Sequence, residues 1–488
     1  MTNLLKFLIA AYMLNATFQI QNKGYFYNAF ITAIYIFLAY LIVSLFSKRW
    51  DKKIPSVASN FTAFLICLFS AWLSYRWGVL APVEQFSDFN SLRNHAFAFT
   101  HLFSLADLYR IKSAGLAILS FPFIYLLGEN TKEVQMICAS IFFCNLWLLF
   151  IVLKKLTNSP LFSLAGLLSF ALYPGTIMFS QVFSTEMAFA FFFLAILITI
   201  NSSYKHKYLF SGVLSGLLFI TRSTGIATVI AIIISILFHT DIKRSLPKLS
   251  KFFTGISIIL FSQLALNLTQ GNEFSFSSSQ WGSYNLMVGT NQKYNGSYNR
   301  EDLSLAGFDK LPHSKASENA KKIAIERIAK SPYEFMKFAL TTKVGVLWET
   351  DSYTIYKGIP SKNRKEFQKR RGSFTSHYEV LNPIYFGIIF SSILALILSA
   401  LYRLILKKDT RNKFTLSIIS LSFLGIAGLH LFVEVQARYH NILLLCLFML
   451  ITCSSFELRE FLFKTAGSRL PKILGRLYSR LSINKDLT

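Results

Sequence analysis

The feature that most constrains this chain is a series of long apolar runs. Runs of about 20 residues recur along it, the length a helix needs to cross roughly 30 Å of hydrocarbon. Hydrophobic residues make up 53% of the 488 positions, and charged residues only 15%, whereas soluble domains have roughly a quarter charged residues. These proportions exclude a soluble globular protein, a disordered chain and a disulfide scaffold. The chain is predicted to be an all-α polytopic membrane protein.

The positive charge of the chain indicates its topology. Lys and Arg number 50 against 24 Asp and Glu, a formal net charge of +26. Most of this excess lies in short loops between apolar runs, as the positive-inside rule expects of cytoplasmic loops. The distribution therefore favours a membrane over nucleic acid as the partner. The basic clusters that mark inner loops are Lys48 to Lys53, Lys154 and Lys155, Lys205 and Lys207, Lys243 to Lys251, and Arg403 to Lys413.

About twelve crossings with both termini inside satisfy this alternation. The run 208–238 has basic flanks on both sides, so we predict a tight hairpin that turns at 221–225. The run 114–128 is predicted to lie on the membrane surface or re-enter it, because a crossing there would put Lys154 and Lys155 outside. The predicted crossings are 4–20 (short), 25–46, 61–81, 134–153, 160–178, 184–200, 208–221, 225–238, 252–268, 382–404, 414–433 and 439–456.

Five regions follow from this topology. The largest outward segment is a domain-sized insert, predicted to be α or mixed α/β, in which Phe335, Met336 and Ala339 form a stripe that could rest on the membrane. The tail carries an amphipathic pattern typical of a helix on an anionic leaflet. The regions are 1–60 (extra N-terminal helices), 61–268 (core, with an outer loop at 82–133), 269–381 (the insert), 382–456 (C-terminal helices) and 457–488 (the basic tail).

Neither disulfides nor a zinc site is indicated by the cysteines. All five lie inside apolar runs, without histidines at the spacing of a metal site. They are predicted to be small core residues. The five are Cys67, Cys138, Cys144, Cys446 and Cys453.

The ionisable residues favour chemistry at the outer membrane face. An ion-coupled transporter needs charges within its crossings, and the predicted crossings are nearly free of them. Four outward loops instead bring acids and bases to one leaflet. These residues are Glu84, Asp88, Arg93, His95, Glu186, Arg222, Glu434, Arg438 and His440.

Each candidate has a structural and a functional interpretation. Asp88 is a solvated carboxylate or helix cap, or else a general base near the bilayer surface. Glu186 complements a helix dipole, or is a second carboxylate that binds a metal or orients an acceptor. The Arg438-Tyr439-His440 run is an interfacial anchor or a phosphate clamp.

Two further basic residues could contact the same anion. Arg222 lies in a turn between two apolar arms, where an unpaired charge is costly. Lys343 is either a second phosphate contact or a snorkelling lysine. Their location on one side of the membrane favours an anionic, lipid-linked substrate.

The order of several motifs between residues 61 and 456 resembles the GT-C superfamily of integral-membrane glycosyltransferases. This superfamily includes the protein O-mannosyltransferases and the bacterial transferases that add aminoarabinose to lipid A. The motifs are Ser87-Asp88, Ala171 to Gly175 leading to Ser184-Thr185-Glu186, the glycine-spaced run Ser211 to Arg222, Gly289-Thr290-Asn291 with Asn295-Gly296, and Glu434 with Arg438-Tyr439-His440.

The resemblance implies an inverting transfer from a polyprenyl-phosphate-linked sugar to an acceptor hydroxyl at the outer face. Asp88 would be the general base. Glu186 and Glu84, the acid nearest to Asp88, would orient the acceptor or bind a metal. A divalent cation such as magnesium or manganese would be held by Asp88 and Glu186. Asp88 lacks the immediate acidic neighbour of the family pattern. The donor phosphate would be bound by Arg438, Tyr439 and His440, and by Lys343 or Arg222.

The resemblance further implies a bacterial inner membrane, with the active site on its extracytoplasmic side. The acceptor could be a lipid, a glycan or a protein, and membrane lipids would be further partners. Two other functions stay open. An outer-face glycan ligase or polymerase would use the arginines and histidine without a carboxylate base, and a flippase or exporter of lipid-linked sugars would need a polar path through the crossings.

Overall fold

The computed structural model describes residues 1–19, 31–36, 39, 42–43, 51, 54–80, 85, 88–101, 113–268, 276, 281–349, 351, 381–405 and 412–465. Over these residues the protein is all-helical, with 86% of them in helices and no β-strand. The composition explains this result, because within a membrane a helix satisfies every backbone hydrogen bond inside its own segment.

We number nineteen α-helices in chain order along the described residues. They are α1 (Thr2–Gln19), α2 (Ser56–Leu80), α3 (Asp88–His101), α4 (Ala114–Leu127), α5 (Thr131–Thr157), α6 (Pro160–Ala171), α7 (Pro174–Phe179), α8 (Thr185–Ile200), α9 (Lys207–Thr221), α10 (Ile226–His239), α11 (Ile242–Leu268), α12 (Gly282–Gly289), α13 (Arg300–Ala306), α14 (His313–Lys330), α15 (Pro332–Phe338), α16 (Val344–Trp348), α17 (Leu381–Ile405), α18 (Lys413–Phe432) and α19 (His440–Thr465).

Among the described residues, five helices are long and apolar enough to cross a membrane. They are Ser56–Leu80, Thr131–Thr157, Ile384–Leu404, Lys413–Phe432 and Ala437–Arg459. Five shorter apolar helices, of 10 to 17 residues, accompany them: Ala114–Leu127, Pro160–Ala171, Thr185–Ile200, Lys207–Thr221 and Ser223–His239. Their side chains join those of the long helices in one large apolar core.

The loops predicted to be cytoplasmic meet at one end of the bundle, which we call the basic end. Lys154, in the last turn of α5, donates to Ser56 and Asn60 at the start of α2. Asn412, just before α18, donates to the carbonyl of Leu156. Asp51 accepts from both Ser159 and Arg459. The opposite end, which we call the site end, carries Asp88, Glu186, Arg222 and residues 281–349.

The predicted hairpin at 208–238 forms, but its two arms diverge. Helices α9 and α10 are joined by Arg222 and a 3-10 turn, Ser223–Gly225. Helix α9 packs against α11, whereas α10 packs against α18. The glycines of α9 explain its partner, because a Cβ at Gly212 would collide with the carbonyl oxygen of Phe252 in α11. Small residues of this kind let two membrane helices approach closely.

Helix α4 does not cross the bundle, in agreement with the sequence prediction. Ser113, just before it, donates to the carbonyl of Thr221, at the site end of α9. Gly128, just after it, lies beside the carboxylate of Glu133 in the first turn of α5. Both ends of this helix therefore lie at the site end.

The regular elements of residues 281–349 are all helices, joined by turns, which favours the α alternative for the described part of the insert. A small core of Met287, Ala306, Ala320 and Ala324 joins helices α12, α13 and α14. The stripe predicted from Phe335, Met336 and Ala339 is divided, because Phe335 and Ala339 pack inside the protein while Met336 is exposed. The stripe as a whole therefore does not rest on the membrane.

Several sequence predictions fall outside the described residues. They concern Glu84, most of the crossing at 25–46, the end of the insert at 352–380 and the amphipathic tail beyond 465. All five cysteines are free thiols, and four of them are buried while Cys144 is half-buried.

Candidate functional site

Six side chains, that of Tyr439 and five around its ring, gather at the site end; they come from α8, α18, the joint between α9 and α10, and the segment before α19. We call this group the Tyr439 cluster. It consists of Glu186, Arg222, His430, Glu434, Arg438 and Tyr439. Four of them are buried, and the side chains of Arg222 and Arg438 are 13% and 11% exposed.

Tyr439 is held in place on one face and at its hydroxyl. It ends the 3-10 turn Ala437–Tyr439, which leads into α19. Its ring stacks on His430, with centroids 4.9 Å apart and planes 18° apart. Its hydroxyl donates to Glu434 at 3.3 Å, and Gln436 donates to the other oxygen of the same carboxylate. The ring is thus fixed before any ligand contacts it.

His430 has a defined tautomer. Its Nδ1 lies 3.1 Å from the carbonyl oxygen of Glu434. A carbonyl oxygen only accepts, so Nδ1 must carry the proton in this bond. This bond closes the end of α18 onto the segment that leads to Tyr439.

Arg222 approaches the Tyr439 ring from the joint between α9 and α10. Its guanidinium carbon lies 4.3 Å from the ring centroid, which is cation–π distance. One of its nitrogens, Nη1, donates to Glu186 at 2.7 Å and to Thr185 at 3.3 Å. Within the described residues its Nε and Nη2 have no hydrogen-bond partner, so these N–H groups are available to an acceptor.

Arg438 joins the same ring to the first turn of α3. Its guanidinium carbon is 5.2 Å from the Tyr439 centroid and 4.9 Å from that of Phe89. Its Nη2 lies 3.8 Å from the carboxylate of Asp88, whose side chain is 66% exposed. Phe89 is buried with Phe179 and Val182, which fixes the start of α3. Asp88 is therefore an open carboxylate on a fixed helix start, beside a largely buried cation.

The charges of the site nearly balance in pairs. Arg222 pairs with Glu186, and Arg438 lies beside Asp88. Burial raises the pKa of Glu434, which makes its negative form less stable than that of an exposed carboxyl. Two planar guanidinium groups with one exposed carboxylate can bind a singly charged anion and accept a proton next to it.

The described residues do not fit the divalent cation that the sequence left open. No group of three or more His, Cys, Asp or Glu side chains that could hold a metal occurs among them. The two oxygens of Glu186 accept from Arg222 and from Thr185, so its carboxylate is already neutralised by a cation. We therefore do not assign Asp88 and Glu186 as metal ligands.

Lys343 is not available as a phosphate contact. Its ammonium is buried and donates to three backbone carbonyls, those of Gly289 (2.7 Å), Val433 (2.8 Å) and Leu431 (2.9 Å). An ammonium group has three donors, so none is left for a ligand. Lys343 instead joins the ends of α12 and α18, and burial lowers its pKa to about 7.

Two local features of the backbone place the side chain of Lys343. Residues Ala339–Lys343 form a π-helical turn between α15 and α16, a feature that occurs mostly as a single turn within α-helices. Gly296 has a φ of +72° and lies against the aliphatic part of the lysine. A glycine suits this position, because a left-handed backbone is costly for residues with a Cβ.

His440 belongs to a different buried group. Its Nδ1 donates to the carbonyl of Leu347, and its Nε2 lies 3.1 Å from Asp351. Asp351 also accepts from Tyr173, and the ring of Trp348 stacks on that of His440. All these side chains are buried, so the predicted phosphate contact does not fit His440.

The structure thus brings together Asp88, Glu186, Arg222, Arg438 and Tyr439, but neither Lys343 nor His440. Sequence reasoning missed His430, Gln436 and Phe89, and it named Glu434 without a role. A histidine four residues before Glu434, at the end of an apolar run, was the available signal for His430.

Comparison with known proteins gives no further identification: the chain matches no protein-family model and is similar to no curated protein.

Proposed function

We propose that the protein is an integral-membrane glycosyltransferase that moves a sugar from a polyprenyl-phosphate donor to an acceptor hydroxyl. The observation that carries the proposal is the pair of guanidinium groups on the Tyr439 ring, one of them 3.8 Å from the exposed carboxylate of Asp88. An anion site beside an accessible carboxylate suits a reaction in which a phosphate leaves while a hydroxyl loses its proton.

In this proposal Asp88 accepts the proton of the acceptor hydroxyl through a carboxylate oxygen. The acceptor oxygen attacks the anomeric carbon from the face opposite the phosphate, and the bond from that carbon to the phosphate oxygen breaks. The bonding electrons leave with the polyprenyl phosphate. Arg438 and the open N–H groups of Arg222 then stabilise the charge on the departing phosphate. The anomeric configuration is inverted.

An apolar groove supports the proposal that the donor is linked to a lipid. It has a volume of about 570 Å³ and lies between α2, α4 and α5. Helix α4 packs against α3, which begins with Asp88, so the groove and the carboxylate share neighbouring elements. The lining residues are Phe64, Leu68, Ala71, Trp72, Tyr75, Phe123, Met136, Ala139, Ser140, Phe143 and Cys144.

The proposal also includes the number of membrane crossings and the orientation of the chain. The chain would cross a bacterial inner membrane about twelve times in a GT-C-like topology, with the basic end in the cytoplasm. The Tyr439 cluster and the insert at 269–381 would face the extracytoplasmic side. The positive-inside distribution of Lys and Arg is the support for this orientation.

The test is transfer by the purified full-length protein from a panel of labelled polyprenyl-phosphate sugars, scored as sugar transfer or as hydrolysis of the donor. Asp88→Asn removes the base with little change in shape, and we expect the rate to fall about 10²-fold or more. Asp309→Asn is the matched control, because it makes the same change at an exposed position of the insert.

Retained transfer in Asp88→Asn would reject the base assignment and would favour the glycan ligase or polymerase. The arginines are tested separately by Arg438→Lys, which keeps the charge but loses the planar donors. We expect weaker binding of a short-chain polyprenyl phosphate, and Arg300→Lys at an exposed site is the control. Lipid movement across a bilayer without product would instead support the flippase.

A further inference from the structure

The continuous helix formed by α15, the π turn and α16 is apolar on two sides. One side is buried, with Phe335, Phe338 and Ala339 packed against Ile328 and Leu431. The other side is exposed. Tyr333 is 76% exposed, Leu340 43% and Met336 38%. The helix also exposes Glu334 and Lys337, and a surface that combines apolar and charged side chains is typical of helices that lie in the membrane interface.

The helix lies where two other helices end. The side chain of Asn15 in α1 donates to the carbonyl of Leu340, and Gly345 lies against Gln19, the last residue of α1. The ring of Phe335 contacts that of Phe432, the last residue of α18, which is one of the five candidate spans. Residues 335–345 therefore lie at the level where a spanning helix leaves the apolar core.

The neighbouring helix α1 also exposes apolar side chains. Helix α1 runs beside α18, from Thr2 near Ser417 to its last turn beside Leu340. Along this path α1 exposes Leu4, Leu8, Leu14 and Phe18. Because α1 and a candidate span lie side by side, this exposed surface has the length and chemistry of one that faces lipid.

We propose that Tyr333, Met336 and Leu340 form a lipid-contact surface that lies in the headgroup layer of the bilayer. The chemistry of the surface fits that layer, since an exposed tyrosine has an apolar ring and a polar hydroxyl and is enriched at membrane interfaces. The ammonium groups of Lys330 and Lys337, both exposed, can reach lipid phosphates while their stems lie along apolar surface. The surface anchors the insert against the membrane and does not depend on the proposed transferase activity.

The experiment measures quenching by spin-labelled lipids. A small fluorescent residue replaces Tyr333, Met336 or Leu340, one at a time, in the full-length protein in phosphatidylcholine–phosphatidylglycerol vesicles. The matched controls carry the same probe at Leu305 or Ile325, which are 57% and 52% exposed on α13 and α14. Unchanged thermal unfolding of each labelled protein shows that it is folded.

We expect nitroxide lipids labelled near the headgroup to quench the three surface positions several-fold more than Leu305 or Ile325. A water-soluble quencher should show the reverse order. Equal lipid quenching at all five positions, or stronger quenching at the two controls, would overturn the proposal. If the unlabelled protein transfers no sugar but the labelled positions are still quenched by lipid, only the proposed function is rejected.

Discussion

The two ends of the bundle both bury charged side chains, but they expose them differently. At the basic end Lys6 donates to Glu457 at 2.6 Å and to Ser399 at 3.0 Å, and Arg403 lies 3.6 Å from the same carboxylate. These three side chains are at most 4% exposed. At the site end Arg222 is 13% exposed, Arg438 11% and Asp88 66%.

The difference in exposure teaches which charges hold helices together and which can act on a ligand. The Lys6 group joins α1, α17 and α19 and is closed to solvent, so a ligand would have to displace it. The Tyr439 cluster also joins several helices, but it leaves N–H groups of Arg222 open and lies beside the exposed carboxylate of Asp88. Burial alone therefore does not distinguish the two groups of charges, whereas their exposure does: only the partly exposed charges at the site end are accessible to a ligand.

The largest expected effect comes from breaking the closed group at the basic end. Glu457→Gln leaves Lys6 and Arg403 buried without their carboxylate, which we expect to cost about 3–5 kcal/mol of unfolding free energy. Unfolding in detergent measures this loss. Glu301→Gln is the control, because its pair with Lys293 is exposed to solvent and should contribute little to stability. Similar losses in both variants would contradict the distinction between the two ends.

A smaller effect on stability is expected from Lys343, whose ammonium lies near the site but is buried and fully hydrogen-bonded. Its pKa of about 7 in the folded protein compares with 10.5 for an ordinary lysine. Between these values the unfolded chain binds the extra proton, so the folded protein gains stability as pH rises from 7. We expect a gain on the order of 2–3 kcal/mol from pH 7 to 9, measured by unfolding at each pH.

Lys343→Met should abolish that rise and should be less stable at every pH in the range, because three carbonyls lose their donor. Lys321→Met, at an exposed position of α14, is the control and should keep the wild-type rise. If Lys343→Met keeps the full rise of stability with pH, another group causes that rise, and Lys343 does not titrate as expected.

The smallest expected effect sharpens the description of the open site. Glu186→Gln removes the carboxylate that competes for Arg222, so a short-chain polyprenyl phosphate should bind about 3- to 10-fold more tightly, or about 1 kcal/mol. Calorimetric titration of the purified protein measures it, with the exposed Glu326→Gln as control. Weaker binding than in the wild type would mean that Glu186 chiefly holds Arg222 in position.

The sequence predicted the division into two ends and most members of the cluster. The turn at Arg222 was predicted because both flanks of the run 208–238 are basic, and the structure has its helix break at that residue. Asp88, Glu186, Arg438 and Tyr439 were selected for their position at helix ends on one side. Hydropathy and charge along a chain are sufficient for such predictions, because they fix which segments are apolar and which loops share an end.

The roles of neighbouring residues were beyond the sequence. Tyr439 and His440 are adjacent, yet one lies in the cluster and the other pairs with Asp351. The backbone changes from a 3-10 turn to an α-helix between them, so their side chains point to different neighbours. In the same way Lys343 was predicted to face a ligand, and the π turn directs it to three carbonyls.

The sequence by itself determined that this protein is helical, which segments are apolar and which loops lie at the same end. Only the tertiary structure decided that Arg222 and Arg438 share the ring of Tyr439, that Lys6 pairs with Glu457, and that Lys343 is closed to ligands. The physical reason is that apolar runs record where each helix lies along the chain but not how it is rotated. The rotations and close approaches of packed helices set which charges meet and which stay open to solvent.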